Sequence, residues 1–348
     1  MQKCQKLATF EQSYPYRLFI MATYISLLKS MRSKAGKVAL PVLATLMTAS
    51  LPSCGGADEA VAPISVHRLD HALLSGNLSD STLLRPAEVL FRLSGYGELN
   101  DSTLAVYAAN PSINMLAHAT DSVWKNTEVF SRPLGKMKAN FNRIFPDVSF
   151  PGVYAIVSPF NQSVFTADSL LYVGLNHYLG ADYPPYAYFP EYIRVRKTPE
   201  RLMPDIAETI LRRDYPYAPR EEYPTVLSRL LYEGALIEAE MQLAGVSEQQ
   251  VLGYDDSQME WLMKNERQLW ETIVGRKYLF STDSQLAASL VNLAPFTSVF
   301  GQEVPGAAGR FIGHRIVNAY LDNRAIPIPQ LLTPDFYESE TALQDARY

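Results

Sequence analysis

The sequence predicts an α+β fold that is mainly helical. Apolar residues recur at helical spacing through most of the chain. Short runs rich in β-branched and aromatic residues near the middle indicate a small sheet. Among 348 residues, 47% are apolar and 19% are charged, which is the composition of a globular protein. The formal net charge of -5 offers no basic surface to nucleic acid, so nucleic acid is excluded as a partner.

The N-terminal region is predicted to be an export signal that ends at a lipidated cysteine. A basic stretch begins at Met31, and the apolar run 38–51 that follows is too short to span a bilayer comfortably. The segment Leu51–Cys54 resembles a bacterial lipobox, in which Cys54 becomes the acylated first residue of the mature chain. The alternative is an N-terminal transmembrane helix with an incidental cysteine. The boundaries that follow are an upstream extension over 1–30, a signal peptide over 31–53 and a tether over 54–62.

The rest of the chain is interpreted as one domain over 63–326 and a C-terminal tail over 327–348. The first part is expected to be helical, with helices at Asp70–Leu74, Pro86–Leu93 and Ser112–Phe130. Strands are predicted at 154–158, 163–165 and 170–175, with a turn at 159–161 between the first two. A helical region then continues to about residue 323. Three prolines and a polar end predict that the tail is a surface or loose extension.

A helix over about Tyr223–Leu243 is apolar on nearly all sides, which is typical of a buried helix. Its carboxylates therefore need partners inside the protein. Glu238 falls within the apolar stripe, whereas Glu233 and Glu240 share another face with Arg229. Because Arg229 and Glu233 are four residues apart, we expect them to form a salt bridge.

The next long helix is predicted over about Gln258–Val274. Ser257 and Glu260 fit a capping box at its start, and Gly275 suits its end. Glu266 lies inside the apolar stripe of this helix. A carboxylate in that position must find a cation, a hydrogen-bond donor or a metal ion, or its pKa will rise.

A third helix is predicted within Pro305–Tyr320, entered through Gly306 or Gly309. Gly313 would let another element approach this helix closely. Its two arginines are available as partners for the buried glutamates: Arg310 and Arg315.

Several short motifs occur in a fixed order over about 150–320. They are Leu175–Tyr186, Leu231–Gly234, Gly253-Tyr254, Trp261–Trp270, Ala294–Thr297 and Pro305–Val317. Together with the lipobox at Cys54 they resemble the gliding motility-associated lipoprotein GldB family of Bacteroidetes. The resemblance implies a lipid-anchored protein of the cell envelope, in the outer membrane and facing either the periplasm or the surface. It also implies an association with gliding motility and the type IX secretion machinery, although many members occur in bacteria that do not glide.

The GldB-like families in turn resemble zinc metallopeptidases of the gluzincin kind, which implies a zincin-like domain. Such enzymes carry His-Glu-x-x-His on one helix and a third ligand, often Glu, on the next. In the matching tract Glu233 survives, but Tyr232 and Leu236 occupy the histidine positions, and Glu266 matches the third ligand. We therefore expect a degenerate metal site with no cofactor and no catalytic residue. The alternative is a divergent metal-dependent hydrolase whose substitute site combines Glu233, Glu266 and His314.

The aromatic and proline-rich loop Tyr183–Pro190 is the best candidate for binding a partner, through Tyr183, Tyr186 and Tyr188. The alternative is a rigid loop packed on its own domain. The resulting hypothesis is a non-catalytic envelope protein that binds a protein partner or an extended peptide segment in a peptidase-like groove. A purely structural lipoprotein without a dedicated partner is the remaining alternative.

Overall fold

The computed structural model describes residues 61–158 and 162–348. The predicted extension, the signal peptide, Cys54 and most of the tether lie outside the described residues, as does the predicted turn at 159–161. Residues from Asp58 to Tyr348 belong to one compact unit. Within the described part of this unit, none of the helices has the length and apolar character needed to cross a membrane.

A four-stranded mixed sheet lies at the centre of the described chain. Its strands are β1 (Val66–Arg68), β2 (Gly152–Ile156), β3 (Val164–Ala167) and β4 (Leu170–Gly174), in the spatial order β1-β2-β4-β3. Strand β2 runs parallel to both β1 and β4, whereas β3 pairs antiparallel with β4. Asp168 and Ser169 join β3 to β4 and both have positive φ, as a two-residue hairpin turn requires. The prediction of a mainly helical α+β fold with a small sheet is confirmed.

Helices α1 to α5 lie between β1 and β2. They are α1 (Leu69–Ser75), α2 (Ser81–Ser94), α3 (Asp101–Ala108), α4 (Pro111–Trp124) and α5 (Glu128–Ile144). The single helix predicted over Ser112–Phe130 is wrong, because α4 ends at Trp124 and a new helix starts at Glu128 after three intervening residues. The side chain of Asn126 accepts a hydrogen bond from the backbone N–H of Glu128 at 2.9 Å, which favours a break at this point.

The sheet separates two apolar cores. Helices α1 to α4 cover one face, where Tyr154, Ile156 and Tyr172 pack. Helix α5 and the later helices cover the other face, where Val153 and Leu171 pack. Since alternate residues of a strand point to opposite faces, both faces of β2 and β4 are buried, and the unbroken apolar runs in these strands are explained.

The second half of the chain is almost entirely helical. Its helices are α6 (Glu191–Arg194), α7 (Leu202–Asp214), α8 (Val226–Ala244), α9 (Glu248–Leu252), α10 (Asp256–Gly275), α11 (Ser284–Val291), α12 (Ala308–Asn323), α13 (Ile328–Leu331), α14 (Pro334–Tyr337) and α15 (Ala342–Ala346). Helix α8 is buried along most of its length, as its sequence predicts. It packs against α5, α7 and α12 and therefore forms the centre of the larger core.

Helices α8 and α12 approach each other so closely that their backbones are in contact. A Cβ atom added at Gly234 would overlap the carbonyl group of Gly313, and one added at Gly313 would overlap the carbonyl oxygen of Leu230. The predicted close approach at Gly313 is confirmed. Helix α12 is entered through Ala307, which has a positive φ of 61°.

The start of α10 differs from the prediction. Asp255, not Ser257, is the N-cap, because its carboxylate accepts a hydrogen bond from the backbone N–H of Gln258 at 2.8 Å. The Gln258 side chain completes the capping box in place of Glu260. The helix ends at Gly275, as predicted. The residue with a positive φ that follows the helix is Lys277, not the glycine.

The C-terminal segment 327–348 is part of the domain rather than a surface or loose tail, so the boundary predicted at 326 is corrected. It forms α13, α14 and α15, and its side chains Leu331, Tyr337 and Ala346 are buried. The ring of Tyr337 packs against Tyr217 and Tyr232. The prolines that suggested a loose segment occupy the first turns of short helices, where a missing N–H costs nothing.

Candidate functional site

A cavity of about 320 Å³ opens beside α7. One wall consists of four α7 residues at the spacing i, i+3, i+4 and i+7, which places them on one face of the helix: Asp205, Glu208, Thr209 and Arg212. The other walls come from the residue before β3, the segment after β4, the region around α6 and the loop after α11. Their main side chains are Ser163, His177, Tyr178, Arg196, Lys197 and Leu293.

Behind this wall, Glu233 of α8 lies in a cluster of guanidinium groups. Its carboxylate is 2.7 Å from Nη2 of Arg212, 2.7 Å from Nη2 of Arg229 and 3.3 Å from Nε of Arg310. Burial opposes the ionised form, but the positive charges of Arg212 and Arg310 outweigh it and hold the pKa of Glu233 below its usual range. The predicted Arg229–Glu233 pair and the predicted role of Arg310 are confirmed.

The pKa values of two further glutamates in this cluster are shifted in opposite directions. Glu208 accepts a hydrogen bond from Nε of Arg212 at 2.8 Å, and despite burial the guanidinium groups of Arg310 and Arg212 lower its pKa. Glu240 is fully buried, and its nearest cation is Arg310 at 3.4 Å. Burial and the neighbouring charge of Glu208 raise the pKa of Glu240 well above its usual range, which favours the protonated acid.

The α8 residues that the resemblance aligns with zinc ligands do not fit a zinc ion. Tyr232 is fully buried and its hydroxyl group donates to the backbone carbonyl of Tyr215 at 2.9 Å, while burial raises its pKa to about 12. Leu236 is buried and offers no donor atom. The oxygens of Glu233 are bound by the three arginines. Zinc sites need nitrogen, thiolate or unpaired carboxylate ligands, and this tract supplies none of them.

Glu266 lies partly exposed on α10, one helical turn from the buried side chains of Leu262 and Leu269. Its carboxylate accepts a hydrogen bond from the hydroxyl group of Tyr348 at 2.8 Å and lies 3.4 Å from Nε of Arg315. The predicted pairing of Arg315 with a glutamate is therefore confirmed. Burial and the adjacent Glu266 raise the pKa of the Tyr348 phenol. Glu266 thus fixes the end of the chain onto α10.

His314 of α12 is buried between two carboxylates. Its Nδ1 lies 2.6 Å from Glu248, and its Nε2 lies 3.3 Å from Glu238. Burial disfavours the charged ring, but the two carboxylates outweigh it and raise the pKa of His314. Glu233, Glu266 and His314 therefore have different partners. Among residues 61–158 and 162–348, no three His, Cys, Asp or Glu side chains are grouped so that they could hold a metal ion.

The three tyrosines predicted to bind a partner differ in accessibility. Tyr186 is fully buried, and its hydroxyl group donates to the carbonyl of Asn176 at 2.6 Å, so its assignment to partner binding is wrong. Tyr183 is half-buried and its ring packs edge-on against Tyr186. Tyr188 is exposed and remains a candidate contact. Tyr186 thus anchors the loop to its own domain, whereas Tyr188 faces the solvent.

Sequence reasoning missed Arg196 and Lys197, which follow this aromatic loop. Lys197 lies 4.4 Å from the ring centre of Phe189, and its Nζ is 3.1 Å from Nδ1 of His177. Burial lowers the pKa of Lys197 to about 8, and burial together with Arg201 lowers the pKa of Arg196 to about 10. The sequence signal that could have indicated them is the group of basic residues within 194–197, which follows the aromatic loop.

Comparison with protein-family models gives a match over residues 58–348 to the family described as gliding motility protein GldB. The match spans all of the chain that the structure describes. Comparison with curated proteins and with solved structures gave no match.

Proposed function

We propose, starting from the fact that this chain belongs to the gliding motility protein GldB family, that it is a non-catalytic lipoprotein of the cell envelope. It would be held at the outer membrane through acyl chains on Cys54 and act as a component or accessory of the gliding and type IX secretion machinery. The lipobox around Cys54 supports the anchor, since more than one acyl chain gives stable attachment to a bilayer. Its task in this proposal is to bind an extended segment of another envelope protein.

The surroundings of Glu233 support the absence of catalysis. A general base works best when its pKa lies near the working pH and when it can reach the reacting proton. Glu233 is 1% exposed, is bound by three arginines and has a lowered pKa. These properties belong to a structural ion cluster. We further propose that the domain is a zincin-like scaffold. In it, Tyr232 and Leu236 replaced metal ligands, and Glu233 now forms ion pairs with the arginines.

The cavity beside α7 is the single observation that carries the binding proposal. Its volume of about 320 Å³ lies within the range of natural ligand sites, and its walls combine charged groups with aromatic and aliphatic ones. It begins at Ser163, directly before β3, which is an edge strand of the sheet. An extended segment that lies along the outer side of such a strand would place its side chains in or near the cavity.

Crosslinking in living cells tests this proposal. A photo-reactive amino acid at Leu293, which is exposed and lines the cavity, is expected to attach to one defined envelope protein. The matched control is the same amino acid at Phe280, which is more exposed but does not line the cavity. A specific adduct from position 293 that is absent from position 280 supports the proposal. Identical products from both positions, or no product from either, would contradict it.

A further inference from the structure

We propose that Arg196 and Lys197 form a subsite that binds a carboxylate group of the partner's extended segment. This inference rests on the proposed function, because it names the chemistry that the cavity recognises. The proposal comes from an imbalance among the charged groups of the cavity wall.

The carboxylates of the wall already have partners within the domain. Asp205 accepts a hydrogen bond from Nη2 of Arg201 at 2.6 Å and another from the hydroxyl group of Tyr178 at 2.9 Å. Glu208 is held by Arg212 and Arg310. These anions therefore have closer cations, and their charges reach Arg196 and Lys197 only from beyond salt-bridge distance.

Arg196 and Lys197, in contrast, form no ion pair with any residue in 61–158 or 162–348. A buried or half-buried cation without a counter-ion is costly, because it has lost part of its hydration without gaining an opposite charge. Lowered pKa values are the expected consequence, and both groups show them. An anion bound in the cavity that both side chains line would reduce that cost.

The guanidinium group of Arg196 is held in place from one side by its own domain. Its Nη1 donates to the backbone carbonyl of Leu252 at 2.6 Å. The group lies against Gly253, where an added Cβ would overlap it. In the described part of the chain, nothing accepts a hydrogen bond from its Nε or Nη2. These two neighbouring N–H groups form one edge of the guanidinium fork, which matches the two oxygens of a carboxylate.

Lys197 supplies a second positive group from a rigid position. Its ammonium group lies over the ring of Phe189 and next to Nδ1 of His177. Its stem is buried, so little side-chain freedom is lost when a ligand binds. The subsite thus combines a planar fork with a point charge.

A carboxylate fits this subsite better than a phosphate dianion. Asp205 and Glu208 line the same cavity and would repel a second negative charge on the ligand. The carboxylate can come from an acidic side chain or from the C-terminus of the partner segment. These two sources share the same chemistry, and peptides can distinguish them.

Binding of three fluorescent octapeptides to the purified chain over residues 54–348 tests the subsite. The peptides share one neutral sequence. The first has a free C-terminus, the second has an amidated C-terminus and one internal Glu, and the third is amidated and neutral. We expect at least one carboxylate-bearing peptide to bind about tenfold or more tightly than the neutral one, as a charge-assisted hydrogen bond should provide. Whichever of the first two peptides shows this preference identifies the source of the carboxylate.

Matched variants assign the preference to the cavity. Arg196→Gln and Lys197→Met should reduce it to about twofold or less, whereas Arg196→Lys, which keeps the charge but lacks the fork, should retain part of it. Arg194→Gln is the control, because it removes a charge from the same segment without touching the cavity. Melting temperatures show whether each variant is folded, and only folded variants are compared.

The proposal is overturned if the three peptides bind equally or not at all up to millimolar concentration. It is also overturned if the preference survives in both cavity variants, or if inorganic phosphate competes while no peptide shows a preference. Failure of this subsite is distinguishable from failure of the proposed function. A defined partner crosslinked from position 293 without any carboxylate preference would reject the subsite alone.

Discussion

At the scale of single residues, two glutamates on α8 show how the surroundings decide the state of a carboxyl group. Glu233 and Glu240 are seven residues apart, so both point toward α7 and α12. Glu233 has three guanidinium groups within 3.3 Å, whereas Glu240 has one, Arg310, at 3.4 Å. The surroundings therefore favour the ionised form of Glu233 and the protonated form of Glu240, and substitutions of the two residues should affect stability in opposite ways.

Glu240→Gln is predicted to stabilise the protein near neutral pH. The folded-state pKa of Glu240 is raised, so above the usual glutamate pKa the unfolded chain releases a proton that the folded chain retains. Wild-type stability therefore falls as the pH rises, and a glutamine, which cannot ionise, escapes this loss. The melting temperature should rise by a few degrees at pH 8 and change less at pH 4.5. A gain that does not depend on pH, or a loss at pH 8, would show that Glu240 is ionised.

Glu233→Gln is predicted to have the opposite effect and to cost about 3–5 kcal/mol at pH 7, because it leaves the arginines without their shared anion. The folded-state pKa of Glu233 is lowered, so its contribution is present above the usual glutamate pKa and disappears as the pH falls through the folded-state value. Urea unfolding of the variant and the wild type at pH 7 and pH 4 should show a smaller difference at the lower pH. A cost below about 0.5 kcal/mol at pH 7 would reject the proposed ion cluster.

At the scale of secondary-structure elements, the contact between α8 and α12 determines how the larger core is assembled. The two helices touch through Gly234 and Gly313, and this contact brings Arg310 to Glu233 and His314 to Glu238. A wider separation would break both pairs. Close helix packing and the buried charges are thus parts of one arrangement.

Gly234→Ala is predicted to destabilise the protein by about 1–3 kcal/mol or more, because its new methyl group overlaps the backbone of α12. The matched control is Gly275→Ala at the end of α10, where an added Cβ meets no atom within 4 Å. That substitution should be neutral or stabilise by up to about 1 kcal/mol, since alanine favours a helix over glycine. Chemical denaturation of both variants measures the difference. Equal stabilities would mean that α8 and α12 are not in contact at Gly234.

Some features of the helices could be predicted from the sequence, and others could not. Periodicity was sufficient for α8 and for the Arg229–Glu233 pair, because each depends on spacing within one helix. The close approach at Gly313 was predicted from the missing side chain of glycine. The cap of α10 was misassigned because Asp255 and Ser257 both begin a plausible capping box, and the sequence does not decide between them. The C-terminal helices were missed because proline marks both loose segments and the first turn of short helices.

At the scale of the whole molecule, the cavity could not be predicted from the sequence. Its walls come from the residue before β3, the segment after β4, the region around α6, helix α7 and the loop after α11, which are brought together only by the tertiary fold. No spacing rule connects Ser163 with Arg196 or Leu293. The comparison with a zinc-binding motif, in contrast, concerned one helical turn, so it could be made for Tyr232, Glu233 and Leu236 before the fold was known, and it stays a prediction.

Cys54→Ser is predicted to release the protein from the membrane fraction. Without the thiol no acyl chain can be attached, and the described part of the chain contains no helix that could span a bilayer. Cell fractionation and intact-mass measurement check this outcome. As a control, Cys4→Ser should leave the distribution unchanged, since Cys4 precedes the predicted signal peptide. Unchanged mass and membrane association of the Cys54 variant would reject the lipid anchor.

Metal analysis tests most directly the central claim that α8 carries a structural ion cluster in place of a catalytic metal centre. The chain over residues 54–348 is purified without chelators, exposed to zinc and then dialysed, and its metal content and melting temperature are measured with and without a chelator. Zinc should stay far below one ion per chain, and the chelator should not change the melting temperature. One zinc ion per chain that is retained by the wild type and lost in Glu266→Ala would contradict the claim.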